Sequence, residues 1–153
     1  MISIVLTSSL FSREMRLPLK TQYACQVMAQ LARTHSTGNV RTIEDLAAAE
    51  ALSANYLVQI LNELRSAGLV ISKRGKNGGY QLARDPQSIT LAEIVCALEG
   101  EPVVEASPGN GGMAAEKVCG AWDRVNEGVL ATMQGITLLD LVPEEIEGQN
   151  WVI

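Results

Sequence analysis

At 153 residues, with 47% hydrophobic and 19% charged side chains, the chain has the composition of a soluble globular protein and room for one packed domain with an appendage. No apolar run reaches the roughly 18 residues of a membrane-spanning helix, and three widely spaced cysteines make no disulfide framework. The net charge of −5 looks wrong for a nucleic-acid binder until it is divided: residues 1–85 hold ten Lys/Arg and six Asp/Glu (+4), residues 86–153 two and eleven (−9). Screening confines Coulomb effects to roughly 8–10 Å, so the basic half can meet phosphate while the acidic half lies elsewhere.

Residues 1–14 carry no periodic pattern. Ile2 to Phe11 is apolar, but no basic residue precedes it and no small-residue cleavage site follows, so it is not read as a signal peptide. Met15-Arg16-Leu17 could itself be a translation start, which makes residues 1–14 an N-terminal extension, and a cytoplasmic location is expected. From Lys20 to Thr34, Tyr23, Val27, Met28, Leu31 and Ala32 form a helical stripe. His35, the one histidine, lies just past it as a solvated helix-end residue before the loop Ser36-Thr37-Gly38-Asn39. Thr42 followed by Asp45 has the form of a helix start, because the hydroxyl can accept from an orphan N–H. The helix it predicts, Ile43 to Ala49, buries Ile43, Leu46 and Ala47. Glu50, Ala51 and Leu52 then lead to Ser53, a second N-cap candidate. Helix, short turn, helix is the helix-turn-helix pattern.

In the second of these helices Leu57, Ile60, Leu61 and Leu64 share one face, and Asn55, Tyr56, Gln59, Asn62 and Arg65 the other. Gly68 stands where a helix commonly needs a residue with φ > 0 to stop. Two short apolar runs then flank Arg74-Gly75-Lys76-Asn77-Gly78-Gly79, which predicts a β-hairpin with a positively charged tip. A polar helix face beside a basic hairpin is what a winged helix-turn-helix offers to DNA, with N-terminal side chains of the second helix at base edges in the major groove. Asp85-Pro86 breaks the pattern, and Thr90 caps a helix from Leu91 to Leu98 whose stripe is Leu91, Ile94, Val95 and Leu98. Gly100 ends it, and residues 101–114 read as a Gly/Pro-rich loop. A long helix from Ala115 to Gln134 carries Val118, Trp122, Val125, Val129, Leu130 and Met133 on one side. Coming after a completed domain, that stripe suggests a partner helix from a second copy. Ile136 to Leu141 predicts a short capped helix, and residues 143–153 a loose acidic tail. The expected fold is mainly α with a small β-hairpin wing: a winged helix-turn-helix domain over residues 15–100, a sensor-type loop at 101–114, and a dimerisation helix with C-terminal segment at 115–142.

Several of these stretches together resemble the Rrf2 family of bacterial winged-helix transcription regulators. The matching motifs are Met15-Arg16-Leu17 with Lys20 and Tyr23, LSANYLVQIL from Leu52 to Leu61, LRSAGLV from Leu64 to Val70, RGKNGGYQLAR from Arg74 to Arg84, and ITLLDLV from Ile136 to Val142. The resemblance implies a homodimer, built on the long C-terminal helix, that binds a partly palindromic operator in double-stranded DNA, most simply as a repressor. Carried over by position, it places Ser53, Asn55, Tyr56 and Gln59 at bases or phosphates, and Arg74, Lys76 and the backbone of Asn77, Gly78 and Gly79 at a wing tip that enters or skirts the minor groove. The chemistry agrees: Asn and Gln pair bidentately with adenine, while Ser, Tyr and Lys hold phosphates, and a narrow minor groove attracts Arg. Gly78 and Gly79 are expected to allow close approach to the duplex and φ > 0. Lys20 can add a phosphate contact, whereas Tyr56 also has a packing role open to it. Val118, Trp122, Val125, Val129 and Met133 are the expected dimer interface.

The sequence departs from the family at its sensor. Many members hold an iron–sulfur cluster on three cysteines grouped in the loop and the start of the dimer helix, but this chain has only Cys119 there. Ser107-Pro108 and the Gly112-Met113 neighbourhood stand where the others would be. No cofactor and no metal are expected, since a cluster would need unusual ligands such as Glu105, Glu116 or a partner subunit. Cys25 and Cys96 read as small buried hydrophobes. Cys119, near a helix N-terminus, could be a redox sensor or a packing residue, and the loop could instead dock a metabolite or partner protein. An alternative of another class is a protein-interaction module that uses the acidic C-terminal half. With no Ser/His/Asp set, phosphate loop or metal-ligand spacing, an enzyme is not expected.

Overall fold

The computed structural model describes residues 17–100 and 107–144. The N-terminal extension, the first six residues of the loop and most of the acidic tail lie outside them. Helix α1 (Leu19–Arg33) follows Pro18, whose fixed φ of −54° suits a helix entry. Its Ala24, Val27, Met28 and Leu31 are at most 1% exposed, the i, i+3, i+4, i+7 spacing of a core-facing stripe. Helix α2 (Ile43–Glu50) is capped as expected, Thr42 Oγ1 accepting from the Asp45 N–H at 3.1 Å. It ends on Ala51 in the left-handed region (φ 53°), the backbone reversal that turns the chain into the next helix.

Helix α3 (Ala54–Ser66) begins on Ser53, whose Oγ accepts from the Tyr56 N–H at 3.3 Å. It closes with Leu69 N–H donating to Leu64 O and Gly68 N–H donating to Arg65 O, both at 3.0 Å, around Gly68 at φ 76°. This Schellman closure works because glycine has no Cβ to oppose a positive φ, and because Leu64 and Leu69 are both buried beside it. Strand β1 (Val70–Lys73) starts at the next residue and pairs antiparallel with β2 (Gly79–Leu82), with Val70 opposite Leu82 and Lys73 opposite Gly79. Val70 and Leu82 face the core and Ile71 faces outward; alternation then puts Lys73 on the outer face with Ile71.

The hairpin has a third member that local sequence does not announce. Arg41, just before α2, pairs antiparallel with Tyr80, exchanging two N–H···O bonds of 2.8 Å. This corrects the role expected of two glycines. Neither Gly78 nor Gly79 has a positive φ; at the wing tip that conformation belongs to Gly75, at 110°. Gly79 is bare because a Cβ there would lie 2.6 Å from Arg41 O, and one on Gly78 would lie 2.3 Å from Lys73 O. Both glycines admit the protein's own backbone. Gly79→Ala is therefore expected to force Arg41 off β2 and destabilise the fold by about 1–3 kcal/mol. Hydrogen exchange at the Tyr80 amide reads this directly, and unchanged protection would contradict it.

Helix α4 (Leu91–Glu99) carries a capping box: Thr90 Oγ1 accepts from the Glu93 N–H at 3.2 Å and the Thr90 N–H donates to Glu93 Oε2 at 2.9 Å. Burial alone would raise the Glu93 carboxyl, but hydrogen bonds from Arg84 and the Thr90 backbone outweigh it and hold the group below its usual value. Helix α5 (Ala115–Gly135) has no buried residue. After it the chain returns to the domain. The expected short helix at Ile136 to Leu141 is a single 3₁₀ turn, Leu138–Leu141, with a capping box between Thr137 and Asp140. Leu138 N–H donates to Ile89 O and Leu91 N–H to Ile136 O, each at 2.8 Å. Leu138 itself is fully buried, in one core with Leu46, Leu57, Ile60, Leu61, Leu64 and Ile94. The fold is a winged helix-turn-helix whose core is completed from the far side of α5.

Candidate nucleic-acid interface

Ser53, Asn55 and Gln59 are exposed along the N-terminal half of α3, opposite the buried Leu57, Ile60, Leu61 and Leu64. Ser53 uses an oxygen lone pair as N-cap, which leaves its O–H free to donate. Tyr56 is half-buried, its ring edge-on to Tyr23 with centroids 6.0 Å apart and planes at 87°, a favourable aromatic geometry. Its packing role is thus real, and only its hydroxyl remains for a partner. Lys20 is engaged inside the protein: its Nζ lies 2.9 Å from Glu63 Oε1 on α3, and that hydrogen bond holds the ammonium above its usual pKa. Such a part-exposed pair contributes about 0–1 kcal/mol, so it ties α1 to α3 without locking Lys20 away.

The wing is held against α3 by the covalent shortness of the Gly68-Leu69 link and by Arg65 Nη1 donating to Ser72 Oγ at 3.3 Å. Arg74, Lys76 and Asn77 project exposed at its tip. Among the described residues no carboxylate pairs with Arg41, Lys73, Arg74 or Lys76. Arg84, by contrast, is paired with Glu93. The structure thus brings the exposed donors of α3 and a set of uncompensated cations onto adjoining elements. Sequence reading missed two of those cations. Arg41 joins the wing through its pairing with Tyr80, and Lys73 stands one residue before the Arg74–Gly79 stretch that the sequence singled out.

On α5, Val118, Trp122, Val125, Val129 and Leu130 are 38–51% exposed, and Met133 is half-buried. A continuous apolar stripe of this kind on a helix marks an interaction surface. Cys119 lies on the same helix, half-buried, as its fifth residue. Cys25 and Cys96 are half-buried too, rather than buried as expected. Burial pushes the Cys25 thiol up, which favours the uncharged form. Cys25 lines a cavity of about 300 Å³ beside Ala29, Glu50 and Leu141, whereas Cys96 borders a groove between α3 and α4. Among the described residues no three His, Cys, Asp or Glu side chains gather as a metal site. With its cysteines dispersed in this way, the chain does not supply the donor set of a three-cysteine cluster.

Comparison with known proteins agrees with this geometry. The model of the Rrf2 family, described as iron-dependent transcriptional regulators, matches residues 17–144. The HTH-type transcriptional regulator IscR of Klebsiella pneumoniae (strain 342) is 34% identical over 131 residues, 84% of this chain and 80% of that protein. The HTH-type transcriptional regulator CymR of Bacillus subtilis is 34% identical over 127 residues, 83% and 89% of the two chains. A Mycobacterium tuberculosis relative is 43% identical over 86 residues, and there the chain spans about half (53%) of the relative's length. The solved structure of CymR, described as the global cysteine regulator of B. subtilis, superposes with a TM-score of 0.72 at 32% identity over 84% of this chain and 96% of that one. The chain belongs to the Rrf2 family of helix-turn-helix transcription regulators.

Proposed function

We propose that the protein is a cytoplasmic repressor that binds a partly palindromic operator as a homodimer and carries no iron–sulfur cluster. The observation that carries this reading is the adjoining of two features: exposed Ser53, Asn55 and Gln59 on α3, and a wing tip whose Arg74 and Lys76 have no acidic partner among the described residues. In this reading α3 enters the major groove, with Asn55 and Gln59 at base edges and Ser53 and the Tyr56 hydroxyl on phosphates. Arg74 and Lys76, with the backbone of Asn77, Gly78 and Gly79, follow the minor groove, and Lys20 reaches phosphate only by leaving Glu63. Two copies meet through Val118, Trp122, Val125, Val129 and Met133, which presents two such units to the two half-sites. The absence of the three-cysteine set supports release by a metabolite or partner protein acting at residues 101–122, or by oxidation of Cys119, in place of cluster loss. None of this calls for catalysis.

The test uses duplexes selected from a random pool by the wild-type protein. Gln59→Ala is expected to weaken binding to the selected sequence by about 1–3 kcal/mol, roughly 5- to 150-fold, while binding to random duplex stays as it was. Arg74→Ala is expected to weaken both and to lessen the salt dependence. Equal affinity of wild type and both variants for the selected duplex, with the fold intact, would sink the proposal.

A further inference from the structure

The wing has a second face. Its inner face packs on the core through Val70 and Leu82, while Lys73 projects from the outer one. The residue opposite Lys73 is Gly79, and its missing side chain lets Val40 and the backbone of Arg41, in the loop that precedes α2, lie close against the hairpin. The result is a groove of about 470 Å³ lined by Asn39, Val40, Arg41, Lys73 and Asn77, together with the turn after α1. It contains two cations and two side-chain amides. No carboxylate lines it, and neither cation has an ion-pair partner among the described residues. Asn77 belongs both to this groove and to the wing tip, so the two surfaces are continuous.

We propose that this groove takes a backbone phosphate of the DNA strand flanking the wing on the side away from α3, with Lys73 as its main cation and Arg41 at its border. The inference rests on the DNA-binding reading and adds a contact to it. The minor groove is only about 6 Å wide, so a hairpin tip set in or along it lies between two sugar–phosphate backbones. The α3 side of the wing meets one backbone, and the outer face meets the other. A positively charged groove free of carboxylates, continuous with the inserted tip, is complementary to a phosphodiester. Its two cations and the NH₂ groups of its two amides are donors that a phosphodiester's oxygens can accept from. The contact therefore adds affinity and register and leaves sequence preference unchanged.

Binding of the full-length protein to selected and to random duplex is measured across a salt series for wild type, Lys73→Gln, Asn39→Asp and Gln59→Ala. Lys73→Gln is expected to weaken both duplexes by the same factor and to reduce the slope of log affinity against log salt by about 0.9. Between 50 and 200 mM salt the affinity of this variant then falls about 3.5-fold less than that of wild type, which is fourfold salt raised to the power 0.9. Asn39→Asp, which places a carboxylate in the groove, is expected to weaken both duplexes as well. Lys73 and Asn39 are exposed, and an unchanged circular dichroism spectrum verifies that the fold is intact. If both variants match wild type in affinity and slope while Gln59→Ala still loses the selected duplex, the groove proposal is overturned and the DNA-binding reading stands. If wild type binds no duplex, both are overturned. A Lys73→Gln loss confined to the selected sequence would also overturn the proposal, because it would mean base readout.

Discussion

Replacing Val125 and Val129 together by glutamate is expected to convert the proposed dimer to monomers and to weaken binding to a two-half-site duplex by about 10²- to 10⁴-fold. Both side chains are nearly half exposed on α5 of the single chain, and the stripe from Val118 to Leu130 is only partly covered within the described residues. In a symmetric dimer each stripe covers its counterpart, so two carboxylates per chain would be buried against apolar surface without partners, a strongly unfavourable transfer. The loss of operator binding follows from linkage. A joined second reading head binds at high effective concentration, and separating the heads removes that gain without touching α3. Sedimentation velocity and operator titration check the two halves of the expectation. A double variant that still sediments as a dimer and binds normally would show that α5 is not the interface.

Leu138→Ala is expected to destabilise the protein by about 2–5 kcal/mol, the usual cost of truncating a fully buried leucine. Leu138 is 0% exposed in the main core, though it follows the whole length of α5. Its backbone N–H is anchored on Ile89 O at 2.8 Å, so the site has little freedom to collapse around the lost methyl groups. Leu139, the next residue, is 50% exposed, and Leu139→Ala should stay within about 0.5 kcal/mol of wild type. Urea titration of the pair separates burial from any general effect on the turn. A Leu138→Ala shift as small as that of Leu139→Ala would mean that the segment after α5 does not belong to the cooperative core. The chain thus leaves the core after α4 and returns to it at Leu138, beyond α5.

What the sequence disclosed were features whose cause is local. The stripes of α1 and α3, the caps at Thr42, Ser53 and Thr90, and the stop at Gly68 depend on residues within a turn or two, and each was legible. So was the stripe of α5, because an apolar face without a partner shows its period whether or not the partner is present. The features that escaped join distant residues. Arg41 meets Tyr80, Leu138 meets Ile89, and Lys20 is separated from Glu63 by 43 positions. These long-range pairs decided the reading at three places. They gave Gly79 a need of its own in the close approach of Arg41, joined Lys20 to Glu63 in a part-exposed pair, and set Arg41 beside the wing. The exposed donors of α3 were readable because the pattern that buries Leu57 and Leu61 also presents Asn55 and Gln59 to solvent.

Hydroxyl-radical footprinting of the wild-type protein on its selected duplex tests the central claim most directly. The account predicts two equivalent protected half-sites, with centres one helical turn or a multiple of it apart, about 34–36 Å per turn, and with backbone protection extending across the minor groove beside each. A single protected half-site, or uniform protection independent of sequence, would contradict a dimeric operator reader.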